Sequence, residues 1–218
     1  MPTNGLDPDS SLSRPDSPEA WQRLIEAIGP ASMLVAIRKR MGAALLSEMS
    51  PEDIWQETLL HAWRDRASLE WRGLTLFRQW LLGIAFHRIT DAVKREGALK
   101  RGDEKRAYQD HATESSEMDP WYAVASTTPS RLAVYREQAL AMDRALEQLP
   151  QELAEVVRAR LFEGLSTEET ARTFGIGISA VKHRLRKGAA LYRQRLREIL
   201  GSEIDRKSGD QGEGTRSS

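Results

Sequence analysis

Between residues 18 and 200, apolar residues recur at the three-and-four spacing of a helix face, and no convincing run of β-branched residues alternates as a half-buried strand requires. Helices with one apolar stripe each can bury it only against other helices, so the expected fold class is all-α. Ser17-Pro18 and Ser50-Pro51, each followed by acidic residues, have the form of an N-cap with proline at the first helical position and predict two helix starts. From Gly97 to about Ser130 the periodicity fails and the text turns charged, then rich in Ser and Thr, with two prolines. This reads as a flexible linker, 97–130, between two small helical domains at 18–96 and 131–200. Residues 1–17 and 201–218 have little to bury and are expected to be disordered.

The second block holds the densest local signal. Ser166 and Glu169 have capping-box spacing, so a short helix is expected to start there and end at Gly175. A glycine-isoleucine-glycine turn follows, then Ile178-Ser-Ala-Val181, with Ile176, Ile178 and Val181 expected to supply apolar contacts beyond the turn. Two short helices joined by such a turn form a helix-turn-helix, whose second helix enters the DNA major groove. The chain is neutral overall, with 32 basic and 32 acidic residues, so only the distribution of charge is informative. From Ile178 to Arg197 there are seven Lys or Arg and no acid, whereas Glu147 to Glu169 holds six acids against Arg158 and Arg160. A charge run by itself is as compatible with a solvated face; the preceding turn favours DNA, because basic residues after it are placed for phosphates and base edges.

Residues 145–196, ALEQLPQELAEVVRARLFEGLSTEETARTFGIGISAVKHRLRKGAALYRQRL, resemble region 4 of a bacterial sigma-70 family factor, the domain that reads the minus-35 promoter element. The hallmarks are the Leu149-Pro150 pair, the EGLSTEETA run, and the sequence from Gly175 to Leu185. The resemblance implies minus-35 contacts from Ser179, Lys182, His183, Arg184, Arg186 and Lys187. Gly177 stands where the family usually has a serine cap, a loss of only a few tenths of a kcal/mol, and Gly188 interrupts the helix at about 1 kcal/mol relative to alanine. His183 replaces a common small polar residue, a departure that bears on promoter sequence.

The first block resembles the same family in two further places. Ser50 to Trp63 is similar to region 2.2, the helix that docks on the polymerase clamp. On a helical wheel Asp53, Gln56, Glu57, Leu60 and Arg64 share one side and Ile54, Thr58, His61 and Ala62 another. Taken alone the first set reads as an ordinary solvated face; the resemblance implies that Asp53, Gln56, Glu57 and Leu60 bind polymerase. Phe77 to Arg95 is similar to regions 2.3 and 2.4, which melt and read the minus-10 element. Phe77, Leu81, Ile84, Ala85, Ile89 and Val93 fall in one apolar arc and are expected to be core. Gln79, Trp80, Gly83, His87, Thr90, Asp91 and Lys94 lie opposite, an aromatic and a base among hydrogen-bonding groups, suited to unpaired bases. Trp80, His87, Arg88, Asp91 and Lys94 are the implied minus-10 residues, with Trp80 either stacking on bases or partly buried against a neighbouring helix. Residues 69–76 are expected to be the loop before this helix.

The resemblance covers about 19–96 and 131–197 and, with no region 1.1 or folded region 3 expected, points to the extracytoplasmic-function (ECF) group. It implies core RNA polymerase and promoter DNA as partners, with an anti-sigma factor as a possible further one. The family's linker runs through polymerase, and this one begins with Lys100, Arg101, Lys105 and Arg106, as suited to a template contact as to a solvated tether. Extended, it spans up to roughly 110 Å, against about 70 Å for two turns of B-DNA.

Catalysis is not expected. The four histidines, 61, 87, 111 and 183, have no metal spacing, no glycine loop is built for phosphate, and the absence of cysteine removes thiolate zinc sites, cysteine nucleophiles and disulfides. No cofactor is implied. No apolar run approaches the roughly 20 residues of a membrane helix, and the acidic, polar N-terminus is unlike a signal peptide, so a soluble, cytoplasmic chain without membrane contact is expected. The alternative function is a stand-alone helix-turn-helix regulator that binds DNA without polymerase.

Overall fold

The computed structural model describes residues 17–100 and 128–210. All regular structure among them is helical. The chain divides into two compact units, with the boundary between Arg136 and Glu137.

The first unit contains α1 (Pro18–Ile28), α2 (Pro30–Leu46), α3 (Pro51–Asp65), a single 3-10 turn (Arg66–Ser68) and α4 (Leu74–Lys100). Both serine-proline starts hold. Ser17 Oγ accepts from the Ala20 amide at 3.1 Å, and Ser50 Oγ accepts from the Asp53 amide at 3.2 Å. α1 ends where Gly29 takes φ 71°, a left-handed conformation that only glycine adopts without strain, and Pro30 then opens α2. α2 is buried along five successive residues, Met33 to Ile37, and so runs through the centre of the unit, against α3 and α4. It kinks at Gly42, φ 72°.

An aromatic cluster ties the core together. Trp21 of α1 meets Trp63 of α3 edge-on at 5.5 Å and Phe77 of α4 at 5.6 Å, joining three helices through one ring cluster. α4 buries Phe77, Leu81, Leu82, Ala85, Ile89 and Ala92. Val93, expected in that core, is 49% exposed, and Ile84 is half-buried. The packed stripe takes in Leu82 and Ala92 instead, on a helix that touches all three others, α1, α2 and α3. α4 begins at Leu74, within the stretch expected to be loop: the Phe77 amide donates to the Gly73 carbonyl, so the first turn closes on Gly73 itself.

The second unit takes α5 (Pro129–Glu147) from Glu137 onward, α6 (Gln151–Val157), a π turn (Arg158–Phe162), α7 (Thr167–Phe174) and α8 (Ile178–Asp210). Its core comprises Ala141, Ala145 and Leu146 of α5, Leu153, Val156 and Val157 of α6, Phe162, and Val181 and Tyr192 of α8. Phe162 and Tyr192 meet edge-on at 5.9 Å.

Helices extend into all three margins that were expected to be loose. α4 runs to Lys100, α5 begins at Pro129, and α8 passes Gly201 to Asp210, its good helix formers Glu203, Arg206 and Lys207 outweighing the glycine. The remaining linker and tail positions, with the side chains of Lys100, Arg101, Lys105 and Arg106, lie outside the described residues.

Candidate nucleic-acid and polymerase interfaces

The helix-turn-helix forms as its local chemistry requires. Ser166 and Glu169 make the reciprocal box: the Glu169 amide donates to Ser166 Oγ at 3.1 Å and the Ser166 amide to Glu169 Oε2 at 2.7 Å. These backbone and side-chain hydrogen bonds from Ser166 hold the Glu169 carboxyl below its ordinary range. Arg160, on the π turn, donates to the Leu165 carbonyl and ties the approach to α7 back onto α6. α7 ends at Gly175, φ 62°, and α8 starts at Ile178 with the Val181 amide donating to the Gly177 carbonyl at 3.0 Å. Of the residues expected to pack beyond the turn, Val181 is fully buried and Ile176 half-buried, but Ile178 is 44% exposed.

α8 is held to α6 at its inner face. Gly188 is buried, and a Cβ there would lie 2.7 Å from Val157 Cγ2 and 3.3 Å from both Cβ and the carbonyl oxygen of Leu153. The glycine expected to interrupt this helix is therefore the point where two backbones approach too closely for a side chain. On the opposite face Ser179, Lys182, His183, Arg186 and Lys187 are all exposed and form one stripe beginning at the turn. Arg184 is not part of it. It is half-buried on the flank and pairs with Glu152 of α6 at 2.9 Å.

The outer face of α4 separates in the same way. His87, Thr90 and Lys94 are exposed, and Gly83 leaves a bare step between Trp80 and His87. Trp80 is half-buried with its ring 5.9 Å from Phe77, so it packs against a core residue of its own helix and part of it stays accessible. Trp71 flanks Phe77 at 6.0 Å; it was missed in sequence because it precedes the helix and has no period to mark it. Arg88 points away from the face, reaching His61 Nε2 of α3 at 3.2 Å and Asp91 at 2.9 Å. Asp91 lies between Arg88 and Lys94, the latter at 4.0 Å.

On α3, Asp53 and Gln56 are exposed and Glu57 and Leu60 half-buried, one edge opposite the buried Ile54, Trp55, Thr58 and Leu59. Asp53 has a second commitment. Its Oδ2 accepts from the Ser50 amide at 2.8 Å and from Ser50 Oγ at 2.7 Å, completing a capping box. Among the described residues no His, Asp or Glu cluster could hold a metal, and no helix is long and apolar enough to cross a membrane.

The family model for sigma-70, region 4, matches residues 139–190, which include α7, the turn and the first part of α8. Over 169 residues the chain is 31% identical to the ECF RNA polymerase sigma factor SigD of Mycobacterium tuberculosis, covering 75% of this chain and 70% of that one. The chain belongs to the ECF sigma factors. Another relative, the sigma factor SigE of Mycolicibacterium smegmatis, is 28% identical over 151 residues, 68% of this chain and 51% of its own. Among solved structures, the sigma factor RpoE from Bartonella quintana, crystallised with the anti-sigma factor NepR, matches at 22% identity over 84% of this chain and 98% of its own. Its TM-score of 0.30 is too low to bear on the arrangement of the chain. As a sigma factor this protein associates with RNA polymerase and directs promoter-specific transcription.

Proposed function

We propose that the sigma factor divides its work between two modules, 18–96 and 131–200, on one linker, 97–130. In the first, the edge formed by Asp53, Gln56, Glu57 and Leu60 docks on core polymerase. The outer face of α4 holds the opened minus-10 strand, with Trp80 stacking on a base, worth about 1–3 kcal/mol, and His87 and Lys94 holding its neighbours. Arg88 and Asp91 serve that face from behind through the His61 contact. In the second module Ser179, Lys182, His183, Arg186 and Lys187 enter the major groove of the minus-35 duplex, and Arg184 steadies the helix by its pair with Glu152. The observation that carries this reading is the exposed basic stripe that starts at the turn, on a helix whose opposite side is too tightly packed to be the binding face. The chain performs no chemistry of its own; synthesis belongs to polymerase. We add a cytoplasmic location and an anti-sigma protein as a further partner.

Purified full-length protein mixed with core polymerase should co-elute with it and support run-off transcription from members of a randomised promoter library. Lys182→Ala/Lys187→Ala should lose upstream duplex contact and keep polymerase. A protein that bound duplex but never polymerase would be the stand-alone regulator instead.

A further inference from the structure

We propose that α8 carries a second DNA contact, a phosphate-binding face made by Arg193 and Arg197, one groove width beyond the residues that enter the duplex. The proposal rests on the reading of α8 as the duplex-binding helix and extends it past the helix-turn-helix itself.

At 100° per residue, Ala190, Arg193 and Arg197 fall on the same stripe as Ser179, His183 and Arg186, and all of them are exposed. The arginines of α8 divide by position. Those off the stripe are neutralised: Arg184 by Glu152 at 2.9 Å and Arg195 by Glu198 at 2.8 Å. Those on it, Arg186, Arg193 and Arg197, have no ion-paired carboxylate among the described residues. Glu198, already held by Gln194 and Arg195, does feel the charge of Arg197. Arg193 and Arg197 are also oriented, each Nε–H donating at 3.2 Å to a helix carbonyl four residues earlier, of Ala189 and Arg193 respectively. That bond leaves the terminal amino groups of each guanidinium to meet a ligand.

The spacing selects the ligand. From Lys182 to Ala190 is eight residues, about 12 Å along the axis, and the major groove is about 12 Å wide. A helix that crosses the groove with Lys182 at the base edges beside one wall therefore meets the sugar-phosphate strand of the opposite wall at Ala190, where the stripe carries no long side chain and the strand can come close. Arg193 and Arg197 follow about 4.5 and 10.5 Å further on, level with that strand and its outer side. Contacts there are to phosphate oxygens, so they add affinity without sequence preference.

The test is equilibrium binding of the full chain to an end-labelled 20-base-pair duplex of random sequence, followed by fluorescence anisotropy as salt is raised. Each phosphate contact contributes about 0.9 to the slope of log K against log salt. Arg193→Gln/Arg197→Gln should therefore lower the slope by about 1.8, and Ala190→Glu should weaken binding without shifting the melting temperature, since the site is exposed. If the Arg193/Arg197 variant keeps the parent slope while Lys182→Ala/Lys187→Ala lowers it, the second contact is wrong and the helix-turn-helix reading stands. If neither variant lowers the slope, both fail together.

Discussion

Gly188→Ala should destabilise the second unit, although helix propensity by itself says the opposite. In an exposed helix the replacement gains about 1 kcal/mol. Here the new methyl group would lie 2.7 Å from Val157 Cγ2, where carbon atoms are comfortable at about 3.5–4.0 Å, so roughly 1 Å must be found. Val157 is fully buried and, as a β-branched residue in a helix, has essentially one rotamer, so it cannot swing aside. Nor can Leu153, whose Cβ and backbone oxygen both stand at 3.3 Å. The helices must part or the backbone must bend, a strain of about 1–3 kcal/mol. Net of propensity, the variant should be less stable by about 1 kcal/mol, or some 4–8 °C for a domain of this size. Thermal and urea unfolding of the full chain, followed by the Tyr192 environment and by circular dichroism, would measure it. The cause is isolated by repeating the change in Val157→Ala, which removes the obstructing methyl. There Gly188→Ala should cost less or become favourable, so the double variant loses less stability than the two single changes summed. An unfolding midpoint for Gly188→Ala at or above that of the parent would refute the close-approach argument.

Asp53→Ala should lower the stability of the first unit by about 0.5–2 kcal/mol through loss of the α3 capping box, whereas Gln56→Ala and Leu60→Ala should leave the melting point nearly unchanged and reduce co-elution with core polymerase. Normal co-elution of the Gln56/Leu60 double variant would remove α3 as the docking edge. The Glu169 carboxyl is held low by its hydrogen bonds to Ser166, so its contribution is present above the unfolded value, about 4.3, and is lost as pH falls through the lower folded value. Glu169→Gln should accordingly flatten the acid limb of the stability curve, and an unchanged limb would exclude the box as its source. Tyr192 is shifted the other way, its hydroxyl pushed well above the usual phenol range by burial and by the charge of Asp143. That contribution is complete below about pH 10 and fades as pH rises toward the folded value. Because the buried hydroxyl has no hydrogen-bond partner among the described residues, Tyr192→Phe should be neutral or stabilising at pH 7 and less sensitive to alkali; a loss above about 1 kcal/mol would mean the hydroxyl is bonded after all.

Much of the local chemistry was legible in sequence. The serine caps at Ser17, Ser50 and Ser166, the left-handed stop at Gly175 and the basic run after it are determined by residues within one helical turn of each other, and the structure holds all of them. So was the all-α class, since periodicity reports which side of each helix is apolar. What sequence could not supply was the direction of each neighbour. Val93 and Ile178 match the apolar period but are left about half exposed, while Ala92 and Leu82 are buried.

The same limit decided the candidate sites. Arg88 and Arg184 look like their basic neighbours in a linear text, yet His61 and Glu152, far off in the chain, engage them. Gly188 looked like a flaw in its helix because its reason, Val157, lies 31 positions away on another. The residues alone specified where helices begin, where they stop and which stretches carry charge, because those follow from bonds between near neighbours. Only the packing of helix on helix chose which of those charges are spent inside each unit and which are left facing outward.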